Sequence, residues 1–212
     1  MQVDVIKHGK GRYFSMSNEL FDVVDENGVI TGQVLSRDEV HKKGIWHSAV
    51  GLAIINDKDE ILLQQRTPDK EKNPNMWDLS VAGHISSTET PLDTVEKETE
   101  EELGLTVDRE KFMHIGRIKQ EQVFSENFIE RQHYDIYVLE LNDLKIEDIK
   151  IQESEVQDIK FVPFSQFLDM VKNNQIVERE KTYKLLFEYL LNKKEMPNTD
   201  KKSLKEADDK ER

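Results

Sequence analysis

Between Thr90 and Gly104 both ends of one helix can be read directly. Thr90 stands as an N-cap, Pro91 takes the first helical position, where an N–H is not needed, and Asp93 sits at capping-box spacing. Gly104 supplies the stop, because glycine accepts the left-handed backbone that ends many helices. The predicted helix therefore covers Pro91 to Leu103. Before it, the runs FDVVDE, VITGQVL, SAVGLAIIN and EILLQQR read as strands, with turn signals at Asn27-Gly28 and Asp57-Lys58-Asp59, so two successive hairpins are expected. After it, Val123-Phe124, Asp135 to Leu141 and Ile159 to Phe164 read as strands. Ser165 to Lys172 and Val177 to Lys193 read as amphipathic helices, the latter with Tyr183, Leu186, Phe187, Leu190 and Leu191 at helical spacing. Strands, a helix, strands and helices in that order predict an α+β sandwich.

The 212 residues suit one domain of ordinary size, roughly 100 to 200 residues, with appendages. We expect a β-hairpin extension over 1–45, the main domain over 46–195 and a disordered charged tail over 196–212. The extension offers a surface for a homodimer or a lid for a site.

With 43 Asp and Glu against 30 Lys and Arg, the formal net charge is -13. Such a surface repels phosphate backbones and anionic lipid, so neither nucleic acid nor membrane is an expected partner. A phosphate ligand would need a metal or placed Lys and Arg. The absence of Cys removes disulfides, thiolate zinc sites and cysteine nucleophiles, and fits a reducing cytoplasm. The first ten residues, MQVDVIKHGK, lack a signal-peptide apolar run, and the longest apolar stretch, Ala49 to Ile55, falls well short of the ~18 residues of a membrane span. A cytoplasmic protein is expected.

Within the predicted helix, Val95 to Leu103 holds five glutamates and one lysine, a local net charge of -4. Glu98, Glu101 and Glu102 stand at i, i+3 and i+4 and share one arc, beside a core-facing arc of Leu92, Val95, Thr99 and Leu103. Like charges at this spacing cost roughly 0.2 to 0.5 kcal/mol per pair. Taken alone, such a helix is accounted for by a solvated acidic face or by a bound divalent cation. Carboxylate oxygens would favour Mg²⁺ or Mn²⁺ over zinc.

The residues around the helix carry a larger pattern. Gly83, five residues, Glu89, seven residues, then Lys97-Glu98-Thr99-Glu100-Glu101-Glu102-Leu103-Gly104-Leu105 resembles the signature of the Nudix hydrolase family. All four signature glutamates and both glycines are in register; Lys97 replaces the family's Arg and Thr99 an aliphatic residue. The resemblance implies a Nudix-type α/β/α sandwich with a mixed central sheet, cleaving a diphosphate linked to a group X in a nucleoside diphosphate or another small metabolite. It also implies that Glu98, Glu101 and Glu102 are catalytic carboxylates holding Mg²⁺ or Mn²⁺, that the Gly83 carbonyl adds a ligand, and that Glu89 and Lys97 orient the carboxylates.

His41 to Ala49, Leu62 to Arg66 and Trp77 to His84 are similar to isopentenyl-diphosphate isomerase and its hydrolase-like relatives. That resemblance implies that Arg66 and Lys70 grip the diphosphate, and that Glu130, Gln132 and His84 match isomerase metal-binding positions. In the isomerase a Cys stands at the position of Ala82, and the full glutamate triad is missing. Hydrolysis is therefore expected ahead of prenyl-diphosphate isomerisation or a non-catalytic metabolite-sensing role. His84 is expected on a loop near the site, with weaker claims for His41, His47 and His133. Glu130 is read equally as a metal ligand or base and as a solvent-facing strand residue. Trp46, Trp77, Phe124 and Phe128 are candidates for stacking on a base or for the core.

Overall fold

The computed structural model describes residues 19–177 and 179–195. The tail expected over 196–212, and the first 18 residues of the extension, lie outside them.

The hairpin of β1 (Leu20–Val24) and β2 (Ile30–Ser36) forms its own two-stranded sheet. Its turn is held by Asp25, whose Oδ1 accepts from the backbone N–H groups of Asn27 at 2.8 Å and Val29 at 2.9 Å. A short helix not expected from the sequence follows, α1 (Arg37–Lys43). Ser36 caps it by accepting from Glu39 N, and Gly44 closes it at φ 60°. The Ser-x-x-Glu spacing and the closing glycine are the same devices that mark the predicted helix, in a segment too short to show periodicity.

The central sheet is built on β3 (Trp46–Ile55) and β4 (Glu60–Arg66). They form the expected second hairpin, but only Ile54↔Leu62 and Ile55↔Ile61 are paired. Beyond those pairs β4 takes β5 (Trp77–Asp78) and β3 takes β6 (Val81–His84), two strands too short for the sequence pattern to announce. His84 therefore ends a strand; it does not lie on a loop. β7 (Met113–Ser125) and β8 (Phe128–Glu140) form a long hairpin, and β8 pairs parallel with β3 from Arg131 to Glu140. β9 (Val156–Pro163) pairs antiparallel with β4, completing a mixed sheet of seven strands among the described residues.

Side-chain alternation along β3 explains why its sequence is almost wholly apolar. Val50, Leu52 and Ile54 pack under α2 (Pro91–Leu103), together with Val95 and Leu103 of that helix. Ala53 and Ile55 face the opposite layer, α3 (Phe164–Lys172) and α4 (Glu180–Glu195), through Phe167, Met170, Tyr183, Leu186 and Leu190. Burying one such side chain stabilises the fold by about 1.5 to 3 kcal/mol. The result is the expected α+β sandwich with helices on both faces of a mixed sheet. Phe187 and Leu191, placed by spacing on the inner face of α4, are 38% and 42% exposed; Phe187 stacks on Phe164.

α2 has the predicted bounds. The reciprocal Thr90–Asp93 capping box is present, and the N–H of Gly104, at φ 65°, donates to the Glu100 carbonyl. Among the described residues no helix is long and apolar enough to cross a membrane.

Candidate active site

Where β3 and β4 part company, a cavity of about 280 Å³ opens, lined by α2, β6, β8, the loop after β4 and the segment before α4. Glu98, Glu101 and Glu102 all line it from the helix, together with Gly83 from β6. Glu102 is 6% exposed, and Gln64 of β4 donates to its Oε2 at 2.9 Å. Burial, reinforced by the charge of Glu98, pushes the Glu102 carboxyl up to about 8. Burial likewise raises Glu98 to about 7; the Lys97 charge opposes this and the Glu101 charge adds to it. Two buried carboxylates that resist ionisation, beside a third, form a donor set suited to a hard divalent cation.

The cations on the opposite wall are mostly paired. Arg66 lies 3.7 Å from Asp78 and donates through Nε to the Lys72 carbonyl at 3.2 Å. Lys70 is paired with Glu155, and burial lowers its ammonium below the usual lysine range. Three further basic residues that the sequence did not single out, Arg37, Lys72 and Arg179, line the same cavity. Lys72 lies two residues past Lys70 in a charged loop where nothing local separates one lysine from another. Arg179 precedes α4 and reaches the site only through the fold.

Glu89 and Lys97 are not in the cavity wall. Lys97 Nζ donates to Glu89 Oε1 at 3.0 Å, and Thr94 Oγ1 donates to Glu89 Oε2 at 2.9 Å, so the pair braces the loop against the start of α2.

Glu130 is buried, at 7% exposure, which corrects its reading as a solvent-facing strand residue. Its carboxylate is paired with Lys72 and lies 3.5 Å from His84 Nε2. These partners hold the carboxyl well below its usual range despite burial. A group held that firmly ionised is a weak acceptor of a catalytic proton. His84 shares a buried nest with His41 and His47 around Phe21, with ring centroids 5.1 to 5.3 Å apart. Their ligand-capable nitrogens fall within 4.8 Å of one another, an imidazole set distinct from the glutamates of α2. Burial lowers all three, His41 to about 3 and His47 to about 4. His133 stands apart, tilted against Trp46 and bonded to the Asp25 carbonyl.

The stacking candidates are occupied by the protein itself. Phe128 stacks on His41 and meets Phe124 edge-on, while Trp46 and Trp77 lie under Lys119 and Lys160.

Residues 45–186 match the family model of the NUDIX domain. The chain is 34% identical over 155 residues to Nudix hydrolase 3 of Arabidopsis thaliana, a match covering 72% of this chain and 20% of that protein. It is 39% identical over 126 residues to an uncharacterized Nudix hydrolase of Clostridium acetobutylicum, covering 58% and 60%. It is also 35% identical over 83 residues to an isopentenyl-diphosphate Delta-isomerase of Pectobacterium atrosepticum, covering 39% and 46%. The chain thus spans less than two thirds of the length of each of these relatives. A crystal structure from Deinococcus radiodurans has the same fold, with a TM-score of 0.58 at 17% identity, covering 79% of this chain and 97% of that one. Motif, fold and family model agree: the chain belongs to the Nudix family.

Proposed function

We propose that this chain is a divalent-metal-dependent pyrophosphohydrolase of the cytoplasm, cleaving a diphosphate linkage in a small metabolite within a domain over 46–195. The observation that carries this reading is the convergence of Gly83, Glu98, Glu101 and Glu102 with Arg66 and Lys70 on one cavity. Mg²⁺ or Mn²⁺ held by the three glutamates and the Gly83 carbonyl would neutralise diphosphate charge and lower the pKa of water. Arg66 and Lys70 bind the phosphoryl oxygens, and Arg contributes a planar fork suited to two of them. Gln64 fixes the Glu102 carboxylate, while Glu89 and Lys97 orient the glutamates from behind. Glu130, locked to Lys72, is poorly placed to take a proton from attacking water, which leaves that step to the glutamates of α2. Ala82 in the cavity wall offers no proton-transferring side chain, which favours hydrolysis over prenyl isomerisation.

The test is release of phosphate or mononucleotide from a panel of nucleoside diphosphate sugars, dinucleoside polyphosphates, nucleoside triphosphates and prenyl diphosphates with Mg²⁺. Tight binding of one member with no turnover of any would replace this reading by a sensing role.

A further inference from the structure

The three clustered histidines come from three elements, His41 from α1, His47 from β3 and His84 from β6. Imidazoles within reach of one another suit a transition metal such as Zn²⁺ or Co²⁺, a softer class than the Mg²⁺ or Mn²⁺ that fits the glutamates of α2. The likeness of His84, Glu130 and Gln132 to isomerase metal-binding positions points the same way. The donors themselves do not fit a metal, because the protein has already engaged them.

The carboxylate beside the histidines is Glu130, whose Oε1 lies 3.5 Å from His84 Nε2 and 3.9 Å from His41 Nε2. That same oxygen is bonded by the Lys72 ammonium. Two rings flank the ammonium, Phe128 with its centroid 4.8 Å away and Phe124 at 5.5 Å, and the Lys72 side chain is 11% exposed. A carboxylate and two π faces make a good seat for an ammonium. Phe128 also stacks on His41, so this seat and the histidines share a wall. A divalent ion approaching Glu130 Oε1 would meet a positive charge fixed on the oxygen it needs. His47 is engaged from another side. Its Nδ1 lies 3.0 Å from the Ile45 carbonyl, which only accepts, so the ring proton sits there and Nε2 is the acceptor. The Gln132 amide nitrogen lies 3.4 Å from His47 Nε2 and 3.0 Å from His84 Nε2.

We propose that the Lys72 ammonium is the resident cation of this nest, standing where a transition metal would, so that His41, His47 and His84 hold no metal. Lys72 thereby also fastens the loop between β4 and β5, which carries Lys70, to β8. The proposal does not depend on which substrate the cavity takes.

The test is a titration of the full chain with Co²⁺, followed by visible absorption. A four- or five-coordinate site with imidazole ligands gives intense bands, whereas an all-oxygen, six-coordinate site such as the glutamates of α2 gives weak ones. Wild type should show no intense band. Gln132→Glu, which adds a second carboxylate but keeps Lys72, should show none either. Lys72→Met combined with Gln132→Glu should develop the band on one equivalent of Co²⁺, and adding His47→Gln should abolish it. An intense band in wild type or in Gln132→Glu alone would mean that the histidines take a metal despite Lys72, and would overturn the proposal. No band in the combined variant would overturn it too, since Lys72 would then not be what keeps metal out. Should circular dichroism show the combined variant unfolded, Lys72→Gln replaces Lys72→Met in it, and the same two outcomes apply.

Discussion

Gly83 on β6 and Glu98 on α2 approach so closely that a methyl group at residue 83 would stand 2.8 Å from the Glu98 carboxyl carbon. The glycine is not demanded by an unusual backbone angle, since it sits inside a regular antiparallel pairing with Val50. What it provides is space for the carboxylate to lie against the strand. Gly83→Ala must therefore push the Glu98 side chain aside while leaving the sheet intact. We expect turnover to fall 10-fold or more with the melting temperature nearly unchanged. Normal kinetics in Gly83→Ala would show that the Glu98 position is not critical.

Removing each carboxylate in turn tests the metal-binding set. Glu98→Gln, Glu101→Gln and Glu102→Gln should each lower turnover by about 10²-fold or more, the scale of losing an electrostatic or acid-base group. Steady-state rates within a few-fold of wild type for all three would move the reaction elsewhere.

The site was legible where its geometry is local. Thr90, Pro91, Asp93 and Gly104 fix the ends of α2 by backbone chemistry, and helical spacing then places Glu98, Glu101 and Glu102 together without reference to the rest of the molecule. The parts that come from tertiary contact left no such mark. Arg179 enters the cavity because the chain returns across the sheet before α4, and Glu130 is buried because Lys72, His41 and His84 close over it. β5 and β6 exist because β3 and β4 diverge, and neither is long enough to show a period of two. The exposed Phe187 and Leu191 mark the reverse limit, since α4 carries more apolar positions than the sheet beneath it covers.

Stability should depend on pH in a way that separates the glutamates from the histidines. Glu98 and Glu102 have folded-state values near 7 and 8, above the ordinary 4.5, so between those limits the folded chain holds more protons than the unfolded one and stability falls as pH rises. His41, His47 and His84 are lowered from 6.5, so they work in the opposite direction, and only below 6.5. Lys72, lowered by burial to about 8, opposes them as pH nears that value, so the glutamates dominate from pH 6.5 to 7, at no more than about 1.4 kcal/mol per pH unit for each. The melting temperature of metal-free protein should decline over that window, Glu102→Gln should flatten the decline, and added Mg²⁺ or Mn²⁺ should reverse it. A metal-free melting temperature constant from pH 6.5 to 7 would contradict the raised values.

Lys97 keeps the charge of the arginine found in the family signature but touches Glu89 through a single ammonium at 3.0 Å. Lys97→Arg should leave activity within about threefold of wild type or improve it, because a guanidinium can bridge the same carboxylate in two places. Lys97→Met leaves Glu89 with only the Thr94 hydroxyl and should cost 10- to 100-fold in metal affinity or turnover, the usual scale for a residue that orients metal ligands. A titration of activity against Mg²⁺ concentration distinguishes the two losses. A large loss in Lys97→Arg would mean that no room exists beside Glu89 for the longer group.

Asp78 is fully buried and is gripped by Arg179 through two bonds, Nε to Oδ1 at 3.1 Å and Nη2 to Oδ2 at 2.9 Å, with Arg66 3.7 Å from the same carboxylate. This cluster ties β5 to the segment leading into α4 and to the end of β4. Removing one partner strands the other charge away from water, which costs about 3 to 5 kcal/mol. Arg179→Met should therefore destabilise the fold by that amount in a denaturant titration. Asp78→Asn in the same background should recover part of the loss, because the stranded carboxylate is gone. Arg179 also lines the cavity, so the double variant should regain stability without regaining full substrate affinity. If Arg179→Met alone unfolds no more easily than wild type, the pair is not what joins α4 to the sheet.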